Sequence, residues 1–329
     1  MITSIGIIPS KIEIEKLKEF KVNEEIARSL EHLNIPLIDK SAMSCDYDAD
    51  ESEDIVEGDV LIFCTPNEED ISLLQIYIQN KECVNMFMHH DAYVFSSVID
   101  SENLSIGGTP YIALGTFEND ILVYDPLVRS AMLPQILLKG HSDAVMSLRE
   151  AEGRLFSGSV DSTVIEWDAE RLEVRNKIEA AGPVSKIDVS GSFVVYSVEN
   201  ALYCFGEKIG FEGDVEKIRM ADDRIFVSDS CGKLWCYDIR NMSKTVLEKK
   251  IHEDSIADFD IFAKSIYTAS LDETIKVVDA ENFDVRYVKK VDERVFSIRV
   301  CEEGFFVYGG EQNMLNMVPM SVSASTNED

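Results

Sequence analysis

The most constraining feature of the chain is that it repeats itself. Gly140-His141-Ser142-Asp143-Ala144-Val145 leads into Leu155-Phe156-Ser157-Gly158-Ser159-Val160-Asp161-Ser162-Thr163-Val164-Ile165-Glu166-Trp167-Asp168. Worn copies of the second part run over Ala113 to Asp125, Val194 to Gly206, Ile225 to Asp238, Ile266 to Asp279 and Phe305 to Val318. The place of Trp167 is taken in turn by Tyr124, Phe205, Tyr237, Val278 and Val318. The period is about 40 residues. A further pair of apolar runs, Val60 to Cys64 and Leu73 to Ile78, lies one period upstream of Tyr124. Within each unit apolar and polar residues alternate over short stretches, as in Thr274-Ile275-Lys276-Val277, which is the period of a strand. A lone sheet of about four such strands cannot bury both faces, so the units must stack side by side, and a ring leaves only short edges exposed.

The Gly-His start, the Ser-Gly-Ser strand end, the Asp in a tight turn and the Trp-Asp close resemble a WD repeat. The resemblance implies an all-β WD40-type propeller, with seven blades expected and six or eight as alternatives because the outer copies are degenerate. It also implies an internal hydrogen-bonded set of His141, Asp161, a serine at Ser157 or Ser159, and Trp167. The copy around Asp272 keeps His252, Ser270 and Asp272 but lacks the tryptophan. The copy ending at Phe205 has neither the histidine nor the aspartate and is expected to rest on packing alone. Propellers of this kind usually lend an N-terminal strand to the last blade, and Ile2 to Ile8 is the candidate for closing the ring.

The expected organisation is thus a strand within residues 1–10, a helical and then acidic segment over 11–58, the propeller over 59–319 and a disordered tail over 320–329. Leu17, Phe20, Ile26 and Leu30 fall at helical spacing, which predicts one or two short helices. From Asp46 to Asp59 there are eight acidic residues and no Lys or Arg, a block that repels itself. The whole chain carries 61 acidic against 31 basic residues, a formal charge of −30. Such a field repels phosphate backbones and favours basic partners. Residues 1–10 have neither the basic start nor the apolar run of a secretory signal. No apolar stretch approaches the roughly 20 residues of a membrane span. The seven cysteines follow no disulfide framework, so free thiols in a reducing compartment are expected.

Reactive chemistry is hard to find. His89-His90-Asp91 is the most tempting cluster, but neighbours on a strand point to opposite faces, which favours a structural role. Cys231 and Cys236 are too far apart for a zinc pair. Gly107-Gly108 and Gly309-Gly310 lack the helix and lysine of a phosphate loop. No set of polar residues converging on a central channel is evident, and no cofactor is expected. Lys249-Lys250 and Lys289-Lys290 read as solvated edge-strand lysines, with RNA or partner contact as the sharper alternative.

A second resemblance covers nearly the whole chain. The run Glu68 to Ile78 leads to Asn85-Met86-Phe87-Met88-His89-His90-Asp91, then to Tyr111-Ile112-Ala113-Leu114-Gly115-Thr116 and Ile121-Leu122-Val123-Tyr124-Asp125. This order, with the opening Met1-Ile2-Thr3-Ser4 and Ile7-Ile8-Pro9, is similar to the periodic tryptophan protein 1 family, as a short and divergent member with only Trp167 and Trp235 left. The resemblance implies a non-catalytic scaffold in assembly of the large ribosomal subunit precursor and pre-rRNA processing. It would lie in the nucleus and nucleolus. The implied partners are ribosome-assembly proteins, basic ribosomal proteins and pre-rRNA, with no membrane and a monomer inside a larger complex. A histone or chromatin binder and a ubiquitin-ligase adaptor are the alternatives.

Overall fold

The computed structural model describes residues 1–8, 18–19, 21, 23–30, 55, 58–68, 72–80, 86–129, 131–204 and 206–320. Seven antiparallel sheets succeed one another and form a seven-bladed propeller. From the channel outward the strands of each blade are called a to d. Blade 1 is Ile2–Ile8, Val60–Pro66, Ser72–Gln79 and Met86–Val94. Blade 2 is Val98–Ile106, Thr109–Thr116, Ile121–Tyr124 and Ile136–Leu138. Blade 3 is Val145–Ala151, Arg154–Ser159, Thr163–Asp168 and Glu173–Glu179. Blade 4 is Lys186–Ser190, Phe193–Val198, Ala201–Cys204 and Glu207–Gly210. Blade 5 is Val215–Ala221, Arg224–Asp229, Lys233–Asp238 and Asn241–Lys250. Blade 6 is Ile256–Phe262, Ser265–Ser270, Thr274–Asp279 and Val285–Lys290. Among the described residues blade 7 has three strands, Val295–Cys301, Phe305–Gly310 and Leu315–Pro319.

Burial follows position in the blade. Strands b and c lie between neighbouring blades and are buried along most of their length, as over Arg154–Ser159. They therefore read as nearly continuous apolar runs. Strand d of blade 3, Glu173–Glu179, is almost wholly exposed and carries three charged or polar cross-strand positions beside its glutamates, with one arginine and one lysine, which discourages edge pairing. In the helical segment one helix is described, Glu24–Ser29, capped by Asn23, whose side chain accepts from the amides of Glu25 and Ile26. Its Ile26, with Leu30, packs on Leu133 at the edge of blade 2. Most of the acidic run 46–59, and residues 321–329, lie outside the described residues, as does Phe205.

The N-terminal strand does not join the last blade. Ile2–Ile8 pairs antiparallel with Val60–Pro66, with Ile5 opposite Cys64 and Ile8 opposite Leu61, and so forms the innermost strand of blade 1. Without it, the inner edge of Val60–Pro66 would face the channel unpaired. The ring instead closes through side chains. Ile2, Ile5, Val60 and Ile62 share one apolar cluster with Cys301, Phe305, Val307 and Leu315 of blade 7. Gly309 permits the contact, since a Cβ there would lie 2.7 Å from Ile2 Cδ1.

Candidate interaction face and central channel

The b–c turns and the blade-to-blade loops lie at one end of the blades, and the a–b and c–d turns at the other. The His–Asp sets build the first of these faces. In blade 3, His141 Nδ1 lies 3.0 Å from Asp161, and its Nε2 lies 2.7 Å from Ser157 Oγ, which also accepts from Trp167 Nε1 at 2.8 Å. A carboxylate only accepts, so Nδ1 carries the imidazole proton and Ser157 donates to Nε2. Asp161 also accepts from the amides of Ser142 and Thr163. It therefore ties the loop entering the blade to its own b–c turn. Burial pushes the Asp161 carboxyl up, but Thr163, the Ser142 amide and His141 together hold it down at about 2. Ser159 acts elsewhere in the turn, accepting from the Asp161 amide and donating to the Asp143 carbonyl.

Blade 6 repeats this with one change. His252 lies 2.9 Å from Asp272, but its Nε2 meets Thr268 at 2.7 Å, not Ser270. Ser270 accepts from the Asp272 amide and donates to the Asp254 carbonyl, as Ser159 does in blade 3. The hydroxyl nearest the histidine thus stands two residues before Ser270, at the level of Ser157. In blade 5 the aspartate itself moves two residues upstream. Asp229 accepts from the amides of Cys231 and Lys233 and from Trp235 Nε1. The turn residue after the aspartate is left-handed in blades 3 and 6, with φ of 64° at Ser162 and 62° at Glu273. In blade 5 Gly232 takes that role at 79°, at no steric cost.

This face is acidic. Exposed carboxylates stand at Asp143, Glu199, Glu212, Asp214, Glu253, Asp254, Glu273, Asp292 and Glu311. Among the described residues of these turns and loops the cations are Lys139 and Arg294; Arg294 lies 3.8 Å from Glu311, and from the adjoining strand ends Lys233 pairs with Glu212 and Lys250 with Glu253. Phe117 and Met314, in the b–c turns of the blades flanking blade 1, are 63% and 61% exposed on the same face. The opposite face carries several ion pairs. Asp223 and Asp238 pair with Arg240, Glu152 with Arg154, Glu281 with Lys264, and Asp279 with Arg286.

His89 and His90 lie in strand d of blade 1, and there the strict alternation fails. The register shifts between Ile76 and Tyr77, opposite His89. This bulge brings the two imidazoles together, with Nδ1 atoms 2.7 Å apart. Burial, with His89 and Arg129 nearby, lowers the His90 pKa to about 4, so His90 is neutral near pH 7. Asp91 follows in the same strand. The lysine pairs lie at the rim, in strands d of the adjacent blades 5 and 6. Lys249 pairs with Asp284 and Lys250 with Glu253. Cys231 is exposed in a b–c turn and Cys236 is buried. No group of three or more His, Cys, Asp or Glu among the described residues is arranged to hold a metal, and no described helix is long and apolar enough to cross a membrane.

The central channel holds the convergent polar set that sequence reading did not find. Each inner strand places two residues there, two positions apart: Ser4 and Gly6, Asp100 and Glu102, Ser147 and Arg149, Lys186 and Asp188, Lys217 and Arg219, Asp258 and Asp260, Ser297 and Arg299. A register shift just before the first of each pair recurs in every blade but blade 4. In the second layer the sign alternates from blade 2 to blade 7: Glu102, Arg149, Asp188, Arg219, Asp260, Arg299. Seven positions cannot alternate around a closed ring, and the seventh is Gly6. A Cβ on Gly6 would overlap the Phe63 ring.

These side chains stitch the blades together. Ser101 donates to Ser4, and Asn103 to the Ile7 carbonyl. Asp100 accepts from Ser147 and the Leu148 amide. Ser147 accepts from the Ile187 amide, and Asp188 from the Met220 amide. Lys217 reaches Asp258, which accepts from the Ile298 amide and from Arg299 at 2.6 Å. Inner-strand amides that face the channel thus find acceptors on the preceding blade. Burial lowers the Lys217 pKa to about 8 against the pull of Asp258. Burial pushes the Asp258 carboxyl up, but Arg299, Lys217 and Arg219 together hold it well below the carboxylate range.

No protein-family model matches the sequence. The periodic tryptophan protein 1 homolog of Drosophila melanogaster is 26% identical, over 84% of this chain and 71% of its own length. An uncharacterized WD repeat-containing protein of Schizosaccharomyces pombe is 23% identical, over 76% of this chain and 58% of its own length. Among solved structures, the WD40 β-propeller domain of Doa1 superposes with a TM-score of 0.66 at 14% identity, covering 78% of this chain and 88% of that domain. With its seven closed blades and its His–Asp turn sets, the chain folds as a WD-type β-propeller and is similar in sequence to the periodic tryptophan protein 1 homolog.

Proposed function

We propose that the chain is a non-catalytic scaffold that acts in assembly of the large ribosomal subunit precursor, in the nucleus and nucleolus, by docking basic proteins on its b–c face. The observation that carries this is the concentration of exposed carboxylates on the b–c face. Nine exposed carboxylates stand there against two cations in the described turns and loops, and only Glu212, Glu253 and Glu311 of the nine are ion-paired. Ribosomal and assembly proteins are basic, so such a face steers their approach and favours their binding. Phe117 and Met314 add apolar anchors on the same side. The similarity to periodic tryptophan protein 1, with the role that family resemblance implies, supports the setting. Apart from Arg219, the second-layer channel charges are engaged with one another or with backbone amides, which supports a structural hub over a reaction centre.

Gradient sedimentation of the tagged protein, with sequencing of the RNA in each fraction, tests this. Co-migration with large-subunit precursor particles and pre-rRNA is expected. Recovery free of both would overturn the proposal. The same acidic face suits histone tails, and salt-stable recovery with histones in place of precursor particles would favour that second reading.

A further inference from the structure

Arg219 is the odd member of the channel ring. Only 7% of its surface is exposed, yet its guanidinium makes no hydrogen bond or ion pair with any described residue. The flanking carboxylates are already engaged. Asp188 accepts from the amides of Val189 and Met220 and pairs with Arg149 at 2.6 Å. Asp260 accepts from the amides of Ile261 and Val300. Glu102 accepts from the Asn103 amide and from Arg149. Arg219 thus feels these charges without contact, with two further guanidinium groups for neighbours. Burial, Arg149 and Arg299 all press its pKa down, and Asp188 and Asp260 only partly offset them.

The three arginines line one cavity of about 180 Å³ in the channel, together with Glu102, Asp260 and Asn103. A largely buried arginine without a contacting counter-charge is costly, whereas a guanidinium fork matches an oxyanion through paired N–H donors. We infer that the channel is a binding site for a small oxyanion of the phosphate or sulfate class, with Arg219 as its principal ligand and Arg149 and Arg299 as its flanking charges. This goes beyond the docking role and is independent of it, since the site lies inside the ring and the docking surface on the b–c face.

The test uses the intact chain and inorganic phosphate. Thermal unfolding is followed against phosphate, and against chloride at matched ionic strength, with calorimetric titration of phosphate beside it. The melting temperature is expected to rise saturably with phosphate and not with chloride, and sulfate is expected to compete. In Arg219→Met the saturable rise disappears and phosphate affinity falls at least about tenfold, as expected for loss of a charge-assisted bond. Without phosphate that variant melts at or above the wild-type temperature, because an unpaired buried charge has been removed. A merely structural Arg219 would instead lower the melting temperature with and without phosphate. A wild-type response to phosphate no greater than to chloride overturns the inference, and so does an undiminished saturable response in Arg219→Met. The wild-type comparison decides even where the variant does not fold.

Discussion

In blade 6 the Nε2 atom of His252 lies 2.7 Å from the Thr268 hydroxyl, at the level where His141 meets Ser157 in blade 3. His252 is fully buried. Burial takes its pKa down to about 4, and Asp272 only partly offsets this. His90 is held at about 4 as well, and burial lowers His141. A histidine lowered on folding binds its proton more readily in the unfolded chain. Its contribution is therefore present above the unfolded pKa and is lost as pH falls from about 6.5 toward 4. Each of His90 and His252 should remove about 1 kcal/mol of stability between about pH 7.5 and pH 5.5. Urea unfolding at the two pH values measures this, and His252→Gln should show a smaller difference than the wild type.

The seam between the first and last blades depends on shape rather than hydrogen bonds. Ile2 is fully buried, and a Cβ added to Gly309 would meet its side chain at 2.7 to 2.9 Å. Ile2→Ala should cost about 2–4 kcal/mol through lost burial and a cavity. Gly309→Ala should cost roughly 1–3 kcal/mol through overpacking. Joined in one chain, the two changes should cost less than their sum, because the shorter side chain makes room for the new methyl group. Denaturant midpoints of the four proteins decide it, and strict additivity would refute this account of the closure.

The repeat was readable because turns and strands b and c carry its chemistry locally. His141, Asp161 and Trp167 lie within one period, and so does the Trp235–Asp229 pair. Closure was not readable, because the pairing of Ile5 with Cys64 spans a long segment whose own residues say nothing of it. The two histidines failed for a local reason: a bulge opposite Ile76 and Tyr77 breaks the alternation on which opposite faces were inferred. The channel was written in the inner strands all along, as in Val145-x-Ser147-x-Arg149 and Ile256-x-Asp258-x-Asp260. Its meaning needs the ring, because the partners come from different blades. The acidic b–c face likewise emerges only when turns from all blades share one end.

That face makes a prediction separable from folding. Glu199 and Glu273 are exposed turn residues with positive φ, and lysine at either place inherits the same backbone. The double reversal Glu199→Lys with Glu273→Lys should change stability by no more than about 0.5 kcal/mol per site. It should slow association with a lysine-rich peptide and flatten the dependence of the rate on salt. Reversal of Glu281 on the opposite face, which already pairs with Lys264, should leave association nearly unchanged. Stopped-flow association rates at several salt concentrations provide the comparison.

The alternating ring makes the last prediction, because its members are not interchangeable. Asp188 has no exposed surface, accepts from the amides of Val189 and Met220, and forms an ion pair with the Arg149 guanidinium. Burial lowers the Arg149 pKa, but Asp188 and Glu102 outweigh it and hold that pKa above its ordinary value. Asp188→Asn keeps an acceptor for only one of the two amides, which meet different carboxylate oxygens, and removes the charge that Arg149 needs, so it should cost about 3–5 kcal/mol. Arg149→Met removes the cation while the two amides still solvate Asp188, so its cost should be smaller, about 1–2 kcal/mol. In the double variant neither charge is left unpaired, and the total should fall below the sum by more than about 1 kcal/mol. If equilibrium unfolding gives additive losses, the two residues do not act as a pair, and the alternation around the channel is not what holds the inner strands in register.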